Sequence, residues 1–225
     1  MGARTGSQFL EGLRRTKREI WVDGERVGDV TSHPKLRGGA ESLAAVFDRQ
    51  HTYAAECLFT HPGSGQATNV SHMIPRSQEE LYHRHAGLVR LSEGSMGIMG
   101  RTPDYMNMKF AGFASAPRVW AGADGRNARG AENIVNYQRH LARADVSLTH
   151  TIIQPTIDKR TDGRVVGNKV TIRKVGETAD GIIVRGARVL ATLAPYADEQ
   201  TVYPGLPLPA EATDYALAFA IPLDT

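Results

Sequence analysis

Arg101 and Tyr105 stand four residues apart in Gly-Arg-Thr-Pro-Asp-Tyr, a stretch that reads as the start of a helix. Thr102 is a good N-cap, and Pro103 suits the first helical position because its missing N–H would be unpaired there anyway. Arg101 then lies just outside the helix and Tyr105 in its first turn. Both side chains converge where free backbone N–H groups already favour an anion, a place that suits a phenolate or a carboxylate. The same residues allow a plainer arrangement, in which Asp104 pairs with Arg101 and Tyr105 packs in the core. His150, in Leu-Thr-His-Thr-Ile-Ile, opens a strand-like run. Alternation sets Thr149 and Thr151 on one face and His150 on the other. Histidine titrates near neutrality, so His150 has the chemistry of an acid, a base or a hydrogen-bond donor to an oxyanion. A lone histidine also serves commonly as a satisfied structural residue. Thr192, in Leu-Ala-Thr-Leu-Ala-Pro, is by itself an ordinary strand-end hydroxyl.

Other chemistries find less support. His83 and His85 are two residues apart, but no carboxylate or cysteine cluster accompanies them, so no metal site is expected. No glycine-rich dinucleotide fingerprint, phosphate loop or nucleophile elbow occurs. The one cysteine, Cys57, excludes an internal disulfide and fits a reducing cytosol. It sits in the apolar run Ala-Ala-Glu-Cys-Leu-Phe, as a buried structural thiol would. A formal charge of +3 and a pI near 9.1 are too mild to favour nucleic acid. The densest basic run, Arg14 to Arg18, reads as the solvated face of a first helix. No secretory segment or apolar run of membrane-spanning length is present, so a soluble cytoplasmic protein with no membrane partner is expected.

Around these residues the chain is helix-rich first and strand-rich later. SQFLEGLRRTKREI, ESLAAVFDRQHTYAAECL, PRSQEELYHRHAGLVRLSEG and ENIVNYQRHLARAD read as helices, the third opening on a Ser77–Glu80 capping box. IWVDGERVGDV reads as a hairpin turning at Asp23-Gly24. From about residue 146 come SLTHTII, KVTIRKV, GIIVRGARVLAT, QTVYP and YALAFAIP, short β-rich runs divided by Gly, Pro and Asp, with a tight turn at Asp180-Gly181. The expectation is an α+β chain, with a mainly helical domain over 1–145 and a β-domain over 146–225. The apolar strand in DYALAFAIPLDT should be covered, by further chain or by a partner copy.

GRTPDYMN, SLTHTII and DGIIVRGARVLATLAPYADE, together with RTGSQFLEGL, VDGERVGDVTSHP and ESLAAVFDRQH near the start, resemble the oxygenase components of 4-hydroxyphenylacetate 3-monooxygenases, from Arg4 to Thr225. The resemblance implies an acyl-CoA-dehydrogenase-like architecture of helical N-terminal domain, middle β-barrel and C-terminal helical bundle, usually tetrameric, with the bundle absent from this chain. It implies a two-component aromatic hydroxylase. A separate reductase supplies reduced FAD, O2 is co-substrate, and a flavin C4a-hydroperoxide delivers oxygen ortho to a phenol hydroxyl. Arg101, Tyr105 and His150 match the residues that grip the phenol oxygen, with Thr102, Pro103 and Asp104 completing the substrate contacts. Flavin contacts fall on His150, Thr151, Ile152, Thr156, Ile157, Asp158, Lys159 and Thr192.

Two departures stand out. Pro155-Thr156 replaces the family's Pro-Gln, shortening one flavin contact, and YPGLPLPAEATDY carries no Ser-Thr pair to hold a carboxylate tail. The substrate is then open among phenols: a tyrosine derivative, a coumarate-like acid, a chlorophenol or a carrier-bound intermediate. A non-catalytic flavin- or phenol-binding subunit, truncated or split, is the alternative. Flavin dehydratases of hydroxyacyl-CoA share the fold but need iron–sulfur ligands that one cysteine cannot supply.

Overall fold

A computed structural model describes residues 2–98, 103–155, 169–205 and 207–224, with Pro103 and Asp104 described by backbone alone. Helix α1 (Gly6–Arg15) begins at Thr5, whose hydroxyl accepts from the Gln8 N–H while the Gln8 side chain accepts from the Thr5 N–H. That reciprocal cap satisfies two donors which the first helical turn leaves open. The chain then turns back through β1 (Ile20–Val22) and β2 (Glu25–Val27), paired antiparallel. Asp23 and Gly24 both take positive φ, 54° and 83°, as a two-residue hairpin requires.

Helices α2 (Arg37–Thr52) and α3 (Ala54–Cys57) replace the single helix expected over residues 41–58. Tyr53 breaks it with φ −113° and ψ 48°, and the two cation-bearing side chains of Arg49 and Arg90 lie over its ring. After the antiparallel pair β3 (Leu58–Thr60) and β4 (Ala67–Asn69) comes α4 (Gln78–Glu93). Ser77 caps α4 by accepting from the Glu80 N–H, but the Glu80 carboxylate accepts from the Arg76 N–H, so only half of the expected capping box forms. Helices α5 (Pro103–Ser115), α6 (Pro117–Ala121) and α7 (Ala128–Ala144) complete the helical part.

The strands that follow are β5 (Leu148–Thr151), β6 (Arg173–Thr178), β7 (Gly181–Arg185), β8 (Glu199–Val202) and β9 (Phe219–Pro222). β5 runs parallel to β8, β8 pairs antiparallel with β9, and β6 and β7 form a separate hairpin. Among the described residues these strands do not close into a barrel. No helix of the described residues is long and apolar enough to cross a membrane.

Of the three hydrophobic cores among the described residues, two bear on the site. Phe9 and Leu13 of α1 pack on Leu43 and Phe47 of α2, with Leu193 and Ala197 reaching in from the strand-rich part. The Phe9 and Phe47 rings stack at 4.8 Å, and the Tyr196 hydroxyl donates to the Leu36 carbonyl across the same boundary. The second core joins Met106 of α5, Leu141 of α7 and Leu148 of β5, with Tyr105, Phe110, Tyr137 and Tyr203 at its margin. Burial of these side chains contributes roughly 1.5–3 kcal/mol each, and it fixes α5 against β5. That contact sets the site.

Candidate functional site

His150 is 4% exposed, at the centre of a strand buried along its whole length. Its alternation holds: the Thr149 hydroxyl accepts from the Leu193 N–H, and the Thr151 hydroxyl donates to the Val189 carbonyl. Both threonines therefore face the 189–193 segment. His150 faces the other way, between two tyrosine rings. The Tyr105 ring of α5 lies 5.8 Å from the imidazole at 55°, and the Tyr203 ring, just past β8, lies 6.0 Å from it at 28°. Tyr203 is bound in turn by Lys109, whose ammonium donates to its hydroxyl at 2.7 Å.

Of the substrate-contact residues read from the sequence, the structure brings Tyr105 and His150 together. Pro103 and Asp104 form the first turn of α5, while Arg101 and Thr102 lie outside the described residues. Of the flavin-contact residues, His150, Thr151 and Ile152 are continuous on β5 and its exit. The Ile152 carbonyl accepts from Arg188, and Thr151 is buried on the Val189 carbonyl. Thr192 sits exposed in the turn that leads to Tyr196. Thr156, Ile157, Asp158 and Lys159 lie outside the described residues. Beside Thr192 runs an exposed apolar ledge of Ile153, Val189 and Leu190, the first two bridged to each other. The ledge offers exposed apolar surface next to a hydroxyl-bearing turn.

Lys109 and Tyr203 were not singled out from the sequence. Lys109 was within reach of spacing alone, because it stands one helical turn after Tyr105 on the same face. Tyr203 was not, because its place depends on the parallel register that sets His150 opposite Thr201.

A second polar centre, also unread in the sequence, braces the strand that carries His150. Asp145 ends α7 in the left-handed conformation and is 4% exposed. Its carboxylate accepts from the Arg4 N–H at 2.8 Å, from Gln50 at 2.9 Å and from His72 at 3.4 Å. Burial, the largest influence, pushes the Asp145 carboxyl up. The hydrogen bond and charge of His72, with the bonds from Gln50 and Arg4, outweigh it and leave it below the ordinary carboxylate range. The Arg4 guanidinium reaches Asp198 at 2.6 Å, and Asp198 also accepts from the Ser147 N–H at 2.7 Å. The opening segment of the chain thus pins both the end of α7 and the entry to β5. Asn107, on α5, lines a cavity of about 20 Å³ with Gln50, Asn69, Ser71 and Asp145, a volume that holds one water. At the start of β8, Glu199 accepts from Tyr137 and bonds His140, and burial with the Glu199 charge pushes the Tyr137 phenol up. Cys57 is fully buried against the Gly87 carbonyl. No cluster of three metal-ligating side chains occurs among the described residues.

Known proteins share this arrangement of chain. The solved oxygenase component of 4-hydroxyphenylacetate 3-monooxygenase, complexed with FAD and 4-hydroxyphenylacetate, superposes with a TM-score of 0.87 at 34% identity, over 99% of this chain and 45% of that one. An archaeal 4-hydroxybutyryl-CoA dehydratase from N. maritimus superposes at 0.83 with 18% identity, over 99% of this chain and 44% of that one, which shows a shared fold alone. The fold is thus the leading part of the acyl-CoA-dehydrogenase-like architecture, mixed helix and sheet. The chain belongs to the 4-hydroxyphenylacetate 3-hydroxylase N-terminal family, whose pattern matches residues 5–225. The 4-hydroxyphenylacetate 3-monooxygenase oxygenase component of Thermus thermophilus is 34% identical over 99% of this chain and 45% of its own length. The chain spans about half the length of the curated relatives it matches.

Proposed function

We propose that this chain carries the phenol-binding part of an oxygenase component that hydroxylates a phenol ortho to its hydroxyl, with a flavin C4a-hydroperoxide as oxygen donor. The observation that carries the reading is the juxtaposition of half-buried Tyr105 with buried His150 at the contact of α5 with β5. Relatives of the same family are oxygenase components, one of them solved with FAD and a phenol bound.

The residues divide the work by their chemistry. Tyr105 and His150 donate hydrogen bonds to the phenol oxygen, and Arg101 adds fixed positive charge. Together they favour the phenolate, whose ring is the better nucleophile. Burial around His150 keeps water from the reacting centre, where it would divert the oxygen donor to peroxide. Reduced FAD, delivered by a separate reductase, supplies the activated oxygen when bound. Thr192 and the β5 exit from His150 to Ile152 hold it along the apolar ledge, and Thr156, Ile157, Asp158 and Lys159 are its further contacts. On this reading the helical part, 1–145, and the strand-rich part, 146–225, are two walls of one site. The complete enzyme is a cytoplasmic homo-oligomer, and the lack of a Ser-Thr pair after Tyr203 leaves the phenol's tail to other contacts.

The test supplies the protein with FAD, NADH, a flavin reductase, 18O2 and a panel of phenols. A catechol carrying one 18O atom ortho to the original hydroxyl supports the reading. Peroxide with no labelled product from any phenol, despite binding of reduced FAD, refutes it and leaves a non-catalytic flavin-binding chain.

A further inference from the structure

The contacts of His150 close into a ring. Tyr105 and Lys109 leave the same face of α5 one turn apart. Tyr105 packs on one side of the imidazole, Tyr203 stacks on it, and Lys109 takes hold of the Tyr203 hydroxyl. One rigid helix therefore holds His150 by two routes, one direct and one through Tyr203. Lys109 is suited to that task because its ammonium lies 4.3 Å from the Tyr203 ring centroid and 5.7 Å from that of Phe113, one further turn along. Ring faces attract a cation, and among the described residues Lys109 forms no ion pair with a carboxylate that would draw it elsewhere.

We propose that Lys109 and Tyr203 are positioning residues for His150: the Lys109–Tyr203 hydrogen bond locks the tyrosine ring against the imidazole and so fixes the direction in which its N–H points. A histidine that donates to a phenol oxygen needs such a fixed direction, since a hydrogen bond weakens steeply once its angle falls below about 120°. That catalytic meaning rests on the function proposed above, whereas the lock itself does not.

The lock is tested without any turnover, by the rate at which diethyl pyrocarbonate modifies His150 in the full chain, followed by mass spectrometry. The exposed His85 serves as internal reference and the buried His72 as a monitor of global opening. Lys109→Met removes the donor, and Tyr203→Phe removes the acceptor while keeping the ring. Each is expected to raise the His150 rate several-fold against His85, with His72 unchanged. The double variant should show no more than either single, as two ends of one bond must. Lys109→Arg, which keeps a cationic donor, should stay near the parent. Unchanged His150 rates in both single variants, effects that add in the double, or a parallel rise at His72 would overturn the proposal.

Discussion

The imidazole of His150 and the phenol ring of Tyr105 meet at 5.8 Å across the contact of β5 with α5. Neither element could place its side chain alone. The His150 strand is pinned at its entry by the Asp198 carboxylate on the Ser147 N–H, and α5 is held by Met106 in the core with Leu141 and Leu148. Two side chains unremarkable in their own segments become one polar site because the fold brings buried surfaces together.

Tyr105→Phe keeps the ring and its packing, so global stability should move by no more than about 0.5 kcal/mol. On the proposed function, removing its hydroxyl takes a hydrogen bond from the developing phenolate. The expected loss is about 2–4 kcal/mol of transition-state stabilisation, or roughly 30- to 1,000-fold in hydroxylation rate. Thermal melts and product formation, measured together, separate the two effects.

Asp145→Asn keeps the size of the side chain but turns one acceptor oxygen into a donor. The Arg4 N–H and Gln50 share one carboxylate oxygen and His72 bonds the other, so the new NH2 must face either that pair of donors or His72, inside a buried site. Leaving such a donor unsatisfied costs about 1–3 kcal/mol, which a urea midpoint at neutral pH would show.

The same carboxylate sets an acid limit. Its folded pKa lies below the ordinary value, because His72, Gln50 and the Arg4 N–H outweigh burial. Its stabilising share is therefore fully present above the unfolded pKa of about 4 and is lost as pH falls through the lower folded value. Urea midpoints taken from pH 6 down to 3 should fall more steeply in the parent than in Asp145→Asn. Parallel curves would show that Asp145 contributes nothing to the acid limb.

Much of the local structure was legible because it depends on near neighbours. The Asp23-Gly24 turn and the Ser77 cap are local devices, and the structure contains both of them. The break at Tyr53 was not legible, since helical spacing runs straight through it and cation–ring contacts from Arg49 and Arg90 decide the matter. Tyr105 and His150 were visible by residue type, but their meeting was implied only by the family resemblance. Tyr203 and the Asp145 centre depend on strand register and on chain segments far apart in sequence, and no short-range pattern records those.

Gly6 is required by a close approach of helices. A Cβ there would stand 2.4 Å from the Ala44 carbonyl of α2 and 2.6 Å from the Asp48 carboxylate. The Gly6 N–H also donates to Asp48 at 2.7 Å. Gly6→Ala should force α1 from α2 and cost about 1–3 kcal/mol, although alanine is the better helix former. Differential scanning calorimetry would register the drop.

The central claim is that the α5–β5 site binds a phenol by its oxygen and favours the ionised form. It is tested most directly by titrating the absorbance of a nitrophenol, whose anion is coloured, bound to the protein across a pH series. The account predicts that the bound phenol ionises at lower pH than the free one, and that the difference shrinks in Tyr105→Phe and in His150→Ala. An unchanged or raised ionisation pH in the complex, or a shift indifferent to both substitutions, would contradict it.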